Sequence, residues 1–297
     1  MTVNGNIDLT NGSLAGPGTV VVNGDVSLNE GNIGGLAGLT INGNLYLNSG
    51  TIVGSGTVSV TACRTSTISG GSPTSFINSP VTRCVNPTGT FRFPVGSNGL
   101  YAPVLLSAIS GSGTFTVEPK TGAYSGAAAG LPANRLQRWW NTTNGGVTQG
   151  DLTFNYNDVE VVGIEGRYRA YSIVSGTAQL VPTVTTIATN RAVVAGVSLF
   201  EAWTLAEGPA TFEQFKGRIT TPQNRPAGRV IVSLTDGDGN VRWTLTNPFG
   251  YYRFPNVETW KTYTVRLQSK RFTFASTERT VDFTESNPDV NFVSTDH

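Results

Sequence analysis

The chain of 297 residues contains one histidine, His297, and that residue is the last one; cysteine occurs twice, methionine once, and charged residues make up only 13%. General acid–base work near neutral pH usually recruits histidine, a nucleophile needs an activating base, and zinc hydrolysis needs two or three nitrogen or sulfur ligands. None of these sets can be assembled from the sequence. Carboxylates are scattered singly through turn-like segments, with no spacing that singles out a glycosidase pair. No catalytic residue is expected, and no cofactor. No apolar run of about 18 residues exists to form a membrane-spanning helix, so membrane insertion is not expected. Met1 leads straight into patterned sequence without a basic and then apolar leader, so any export signal is expected to have been removed or never to have belonged to this sequence. Twenty basic residues against 19 acidic ones give a formal charge of +1, which supplies no field for nucleic acid or anionic lipid.

What is present is turn and strand chemistry. Glycine occurs 36 times, beside abundant Thr, Ser, Val and Asn, and runs of strong helix formers are missing. An all-β chain of more than one domain follows. Charge is unevenly placed: residues 1–60 hold Asp8, Asp25 and Glu30 and no Lys or Arg.

The amino end repeats. Val3-Asn4-Gly5-Asn6-Ile7-Asp8-Leu9, Val22-Asn23-Gly24-Asp25-Val26-Ser27-Leu28 and Ile41-Asn42-Gly43-Asn44-Leu45-Tyr46-Leu47 align at steps of 19 residues. Leu14, Ile33 and Ile52 keep the same register, as do Val20, Leu39 and Val58. Each unit alternates apolar with polar residues in short runs separated by Gly-rich corners, so it cannot bury its apolar face alone. Stacking on identical neighbours buries that face, which predicts a short parallel β-solenoid with 19-residue rungs over residues 1–62. Asn-Gly pairs also suit hairpins, but hairpins do not demand a fixed period. The repeat resembles the solenoid stalks of bacterial filamentous adhesins and autotransporter passengers. Three rungs would stand only about 15 Å tall, too short for the long cleft of a solenoid lyase. No polar sequence precedes the first rung, so Val3, Asn4, Ile7 and Leu9 are expected to lie against upstream rungs, a second subunit or the next domain. With Trp260 they form the candidate assembly surface.

Residues 63–84 read as a Ser/Thr/Gly/Pro-rich crossing bracketed by Cys63 and Cys84, whose natural pairing is a disulfide. Such a bond would contribute roughly 3 kcal/mol by constraining the unfolded chain and would imply an oxidising, extracytoplasmic setting. Strand-like runs over residues 85–206 predict a β-sandwich. Phe91-Arg92-Phe93-Pro94-Val95-Gly96, Arg138-Trp139-Trp140, Leu152-Thr153-Phe154-Asn155-Tyr156-Asn157-Asp158 and Phe200-Glu201-Ala202-Trp203 resemble a module of large secreted and surface-attached bacterial proteins. Trp139 and Trp140 are a candidate carbohydrate platform. Neighbouring strand residues face opposite sides, so at most one can be presented, and packing of both in the core is the plainer reading.

Residues 207–297 predict a second sandwich. Gly217-Arg218-Ile219-Thr220, Pro226-Ala227-Gly228-Arg229-Val230, Thr246-Asn247-Pro248-Phe249-Gly250-Tyr251-Tyr252-Arg253-Phe254 and Tyr263-Thr264-Val265 resemble the carboxypeptidase regulatory-like domain. That resemblance implies a prealbumin-like, seven-stranded sandwich serving as a spacer and not a catalyst, and it departs from the family pattern at Trp260, where a turn glycine is usual. Asp236, Asp238 and Asn240 resemble the start of a calcium loop, but Asn247 stands where a bidentate Glu would be needed, so a polar hairpin turn is expected. Resemblance to pilus sandwiches would place an isopeptide between Lys216 and Asn291, although Lys216 is expected to point outward. The sequence as a whole predicts an extracellular structural or adhesive protein. Its partners are expected to be copies of itself, neighbouring surface proteins, or a polysaccharide.

Overall fold

The computed structural model describes residues 1–54, 56–61, 67–126, 128–181, 185–198, 200–259, 261–283 and 289–295. Among the described residues almost all regular structure is β-strand, with two single-turn 3-10 helices at Asp158–Glu160 and Glu165–Arg167. The chain divides into two compact units, Met1–Gly208 and Pro209–His297.

The first unit begins with a parallel stack. Its rungs are β1 (Thr2–Val3), β2 (Ile7–Leu9) and β3 (Ser13–Ala15); β4 (Thr19–Val22), β5 (Val26–Asn29) and β6 (Asn32–Gly34); β7 (Gly38–Ile41), β8 (Leu45–Ser49) and β9 (Ile52–Val53). Each strand pairs in parallel with its equivalent 19 residues on, as in Val20↔Leu39 and Val26↔Leu45. Inward positions form buried columns such as Val22, Ile41 and Val60, or Leu28 and Leu47, all 0–1% exposed. Full burial of each such side chain contributes about 1.5–3 kcal/mol.

The corners explain the invariant Asn-Gly pair. A Cβ on Gly24 would stand 2.7 Å from the Gly5 carbonyl carbon, and one on Gly43 would stand 2.5 Å from that of Gly24. Only glycine lets the corners stack this closely. The Asn beside it hydrogen-bonds along the axis: Asn42 Nδ2 donates to Asn23 Oδ1, and Asn23 Nδ2 to Asn4 Oδ1, both at 2.8 Å.

The stack does not stop near residue 62. β10 (Thr57–Val60), β11 (Ile68–Gly70) and β12 (Ile77–Asn78) make a fourth rung, and β13 (Val81–Val85) adds one more parallel strand. The expectation of a plain crossing over 63–84 is therefore corrected. Extra residues lengthen the step to 23 between Leu45 and Ile68 and to 25 between Ile52 and Ile77, so the fixed period no longer reveals the rung. Cys84 lies in β13 opposite Thr114. Cys63 lies outside the described residues, and the pairing remains an expectation.

The same sheet then turns antiparallel, because β13 pairs with β17 (Val104–Thr121). Before β17 come β14 (Phe91–Phe93), which pairs with it, and the small hairpin β15 (Gly96–Ser97) with β16 (Leu100–Tyr101). β17 and β18 (Arg135–Asn155) form a long ribbon with irregular register around residues 107–114 and 145–149. β19 (Tyr168–Val174), β20 (Thr177–Leu180), β21 (Thr185–Ala188), β22 (Arg191–Val197) and β23 (Ala202–Glu207) complete this unit. One half of β18 pairs with β23 and the other with β22. The two halves close face to face: Trp140 packs on Phe154 at 4.5 Å between ring centres, and Phe154 contacts Trp203 at 6.0 Å. One continuous apolar core runs from the stack into this sandwich.

The second unit is a sandwich of β24 (Phe212–Thr220), β25 (Ile231–Thr235), β26 (Val241–Leu245), β27 (Tyr251–Glu258), β28 (Lys261–Gln268), β29 (Glu278–Phe283) and β30 (Phe292–Val293). The sheet orders are β27-β24-β30 and β26-β25-β28-β29. Its own core holds Phe215, Ile219, Val232, Leu234, Phe254 and Val265.

Candidate functional site

The first candidate is the rung-1 end of the stack. β1, β2 and β3 are each the terminal strand of their sheet, so three edges lie open on one surface. Val3, Ile7, Leu9 and Leu14 are only partly buried, whereas their equivalents Val22, Val26, Leu28 and Ile33 are 0–1% exposed. Asn4 is exposed, and its Oδ1 accepts from Asn23 Nδ2. Of the expected assembly residues, Val3, Asn4, Ile7 and Leu9 thus lie together. Trp260 lies outside the described residues.

A second candidate is a polar cleft of about 700 Å³ within the first unit, lined by Asn78 and Ser79 from the stack side and Ser97, Asn98, Glu118, Lys120 and Thr121 from the sandwich. Behind it lies a buried ion pair. Arg138 is 0% exposed, and its Nε and Nη2 each stand 2.8 Å from Glu160 Oε1. Arg138 Nη1 donates to Ser97 Oγ at 2.7 Å, and Thr121 Oγ1 donates to the same oxygen at 2.8 Å. The other Glu160 oxygen accepts from the Asn157 backbone N–H at 3.0 Å. Every charge here is matched, as an ion pair removed from water requires. Sequence reasoning missed this pair, since residues 22 apart on different elements carry no local signal.

The Trp pair divides as strand alternation dictates. Trp140 is fully buried against Phe154, so a platform role for it is excluded by packing. Trp139 is half-buried, lies opposite Lys120 on the β17–β18 ribbon, and meets Tyr124 edge-on at 4.9 Å.

At the turn before β26, Asp236 Oδ1 accepts from the backbone N–H of Asp238 at 3.0 Å and of Asn240 at 2.8 Å, and Oδ2 accepts from Asn240 Nδ2 at 3.0 Å. These hydrogen bonds hold the Asp236 carboxyl below its usual range. The segment is a self-capped hairpin turn. Among the described residues, no group of three or more His, Cys, Asp or Glu is placed to hold a metal ion. Lys216 points outward, with Nζ 3.6 Å from Asp289, while Asn291 Oδ1 accepts from the Arg218 backbone N–H at 2.7 Å; the two side chains have different partners.

Residues 214–294 match the family model of the carboxypeptidase regulatory-like domain, which covers most of the second unit. No curated protein matches the chain. Among solved structures it is similar to the major pilin subunit of Bacillus cereus, with 11% identity over 61% of this chain and 70% of that one and a TM-score of 0.26. A score that low carries no argument about shape or function. Among the described residues, no helix is long and apolar enough to cross a membrane.

Proposed function

We propose that this chain is a structural or adhesive protein of an extracellular surface, and that it associates with further copies of itself through the rung-1 end. The observation that carries the reading is the step in burial between Val3, Ile7, Leu9 and Leu14 and the same four columns one rung higher. A surface with three open strand edges and a row of partly exposed apolar side chains is a template for further pairing. A contact that joins it to a different surface of the next copy does not close on itself, and so generates a filament. The carboxypeptidase regulatory-like unit then acts as a spacer. The Cys63–Cys84 bond belongs to the same proposal, because it suits an oxidising exterior.

Negative-stain electron microscopy and sedimentation of the non-reduced protein across a concentration series test this. Fibres or concentration-dependent growth are expected; a single monomeric species up to millimolar concentration would overturn it.

A second reading, binding of a polysaccharide by the first unit, is supported by the polar cleft beside the β17–β18 ribbon. Its hydroxyl and amide lining suits a polyol, and the half-buried Trp139 is the aromatic candidate on that ribbon. Glycan-array silence, or binding unaltered by Lys120→Ala and Trp139→Ala, would remove it.

A further inference from the structure

In the second unit β26 ends the order β26-β25-β28-β29, and among the described residues no strand pairs on its far side. At one end of the β25–β26 pairing the Asp236 N–H donates to the Asn240 carbonyl, and at the other the Thr246 N–H donates to the Val230 carbonyl. The register between these points is continuous. Arg242 and Thr244 therefore turn their backbone groups toward β25, and Val241, Trp243 and Leu245 turn theirs away from it.

The side chains follow the same parity. Arg242 and Thr244 share the face of Leu234 and Val232, which are buried in the core. The Arg242 guanidinium donates to the Pro255 and Asn256 carbonyls on β27 and lies 5.8 Å from the Phe254 ring centre, so this cation is directed across the sandwich. Val241, Trp243 and Leu245 stand on the outer face and are 45%, 64% and 58% exposed. Soluble proteins usually blunt an edge strand with charge, proline or a bulge. The outer face of this one carries a tryptophan and two aliphatic residues.

Charge lies at the two ends of the strand, with opposite sign. Asp236 and Asp238 belong to the turn that opens it. At its close, exposed Arg229 donates its backbone N–H to the Thr246 carbonyl, and Arg218 Nε donates to the Phe249 carbonyl at 3.2 Å in the turn that follows. The neighbouring ion pairs Lys261–Glu258 and Lys216–Asp289 each cancel. An edge that is acidic at its start and basic at its end sets unlike charges together only when it runs antiparallel against a copy of itself. A parallel copy would bring acid against acid.

We propose that two copies of the chain pair antiparallel along β26, about a two-fold axis at Trp243. Val241 then lies opposite Leu245 of the second copy, and Trp243 opposite its own equivalent. Every outward N–H and C=O of these residues gains a partner, and the apolar row continues across the seam. Arg242 meets Thr244. A slip of two residues in one direction would set Arg242 against Arg242, and a slip in the other would carry Val241 past the end of the strand, so the centred register is favoured. A two-fold contact closes on itself and gives a dimer, which is a different assembly from the head-to-tail rung-1 contact and does not depend on it. The strand has five residues, which places the contact among small interfaces of under about 1,200 Å² in total, formed at micromolar concentration and above.

Cysteine cross-linking of the full chain reads the register. The parent for every variant carries Thr2→Lys with Asp8→Lys, exposed changes that set charge on the rung-1 edge, so the result does not turn on that contact. Val241→Cys and Leu245→Cys are then made separately. Directly opposed residues of a hydrogen-bonded pair hold their Cα atoms about 5.5 Å apart, within reach of a disulfide. The same position in the two copies would lie about 13 Å apart, beyond it. Under mild oxidation an equimolar mixture is expected to give a linked dimer about tenfold faster than either variant alone or the parent. Equal rates in the mixture and the single variants would overturn the proposal, and so would a mixture that forms no dimer. Should either variant melt early, Trp243→Pro decides. Its N–H faces outward, so proline is compatible with the edge, and dimerisation of the parent by analytical ultracentrifugation is expected to weaken at least about tenfold. Unchanged association would overturn the pairing. Fibres of the wild type that persist after such a failure would leave the rung-1 reading standing alone.

Discussion

At the rung-1 end a core column begins with half-exposed Val3; four strands later the same column ends in Arg83, because the pairings Val3↔Val22, Val22↔Ile41, Ile41↔Val60 and Val60↔Arg83 are continuous. Arg83 is 7% exposed, donates through Nη1 to the Arg92 carbonyl at 2.9 Å, and lies 5.0 Å from the Phe91 ring centre. β17 pairs alongside it, and Phe93 and Phe115 close over the apolar columns. One end of the stack is thus finished by a cation, aromatic rings and an antiparallel strand, and the other presents bare columns. A β-stack ends cleanly only where the chain provides chemistry different from the repeat, and Arg83, Phe91 and β17 provide it at the β13 end.

The largest expected effect lies on the finished side. Arg138→Met leaves the Glu160 carboxylate buried without its partner and should destabilise the first unit by about 3–5 kcal/mol, read by chemical denaturation with tryptophan fluorescence. Next comes a direct contrast along one column. Leu28→Ala, inside the stack, should cost about 3 kcal/mol, and Leu9→Ala, at the open end, about 1 kcal/mol. Equal costs would mean that the open end is covered in solution. Smaller again is the asparagine ladder: Asn23→Ala removes two hydrogen bonds of an exposed ladder, its own to Asn4 and the one from Asn42, at about 1 kcal/mol, whereas Asn4→Ala removes one and should cost about half of that.

Arg83→Met should likewise stay within about 1 kcal/mol of wild type, because relief of desolvation offsets lost cation–π contact. Burial holds the Arg83 guanidinium down to about 10. Its folded value lies below its unfolded one, so both states are protonated at neutral pH. The stability difference between wild type and Arg83→Met should therefore be flat from pH 5 to 9 and shift toward the wild type only as pH rises past about 10. A slope near neutrality in paired denaturation curves would contradict this environment.

Periodicity made the first three rungs and their core columns legible, because stacking fixes both the step and the corner glycines. The fourth rung was hidden by four to six extra residues, yet Arg83 could have been found by carrying the Val3 column through the longer step. Strand alternation lets at most one of Trp139 and Trp140 be presented and does not say which, since that depends on Phe154 arriving from the far half of the ribbon; the half-burial of Trp139 departs from the plainer expectation that both pack in the core. Glu160 was illegible as the partner of Arg138 for the same reason. The exposed positions Val241, Trp243 and Leu245 form a plain alternating strand in sequence; only the sheet order shows that, among the described residues, no strand pairs on its far side.

The corner glycines tie each rung to the one before it at a fixed distance, which makes the 19-residue unit interchangeable. Duplicating a whole unit would preserve every column and every ladder contact while adding about 4.8 Å of height. Inserting half a unit would set side chains against glycine corners. Lineages carrying this stack are free to vary its length in whole steps, so reach can evolve by copying without redesign of either end.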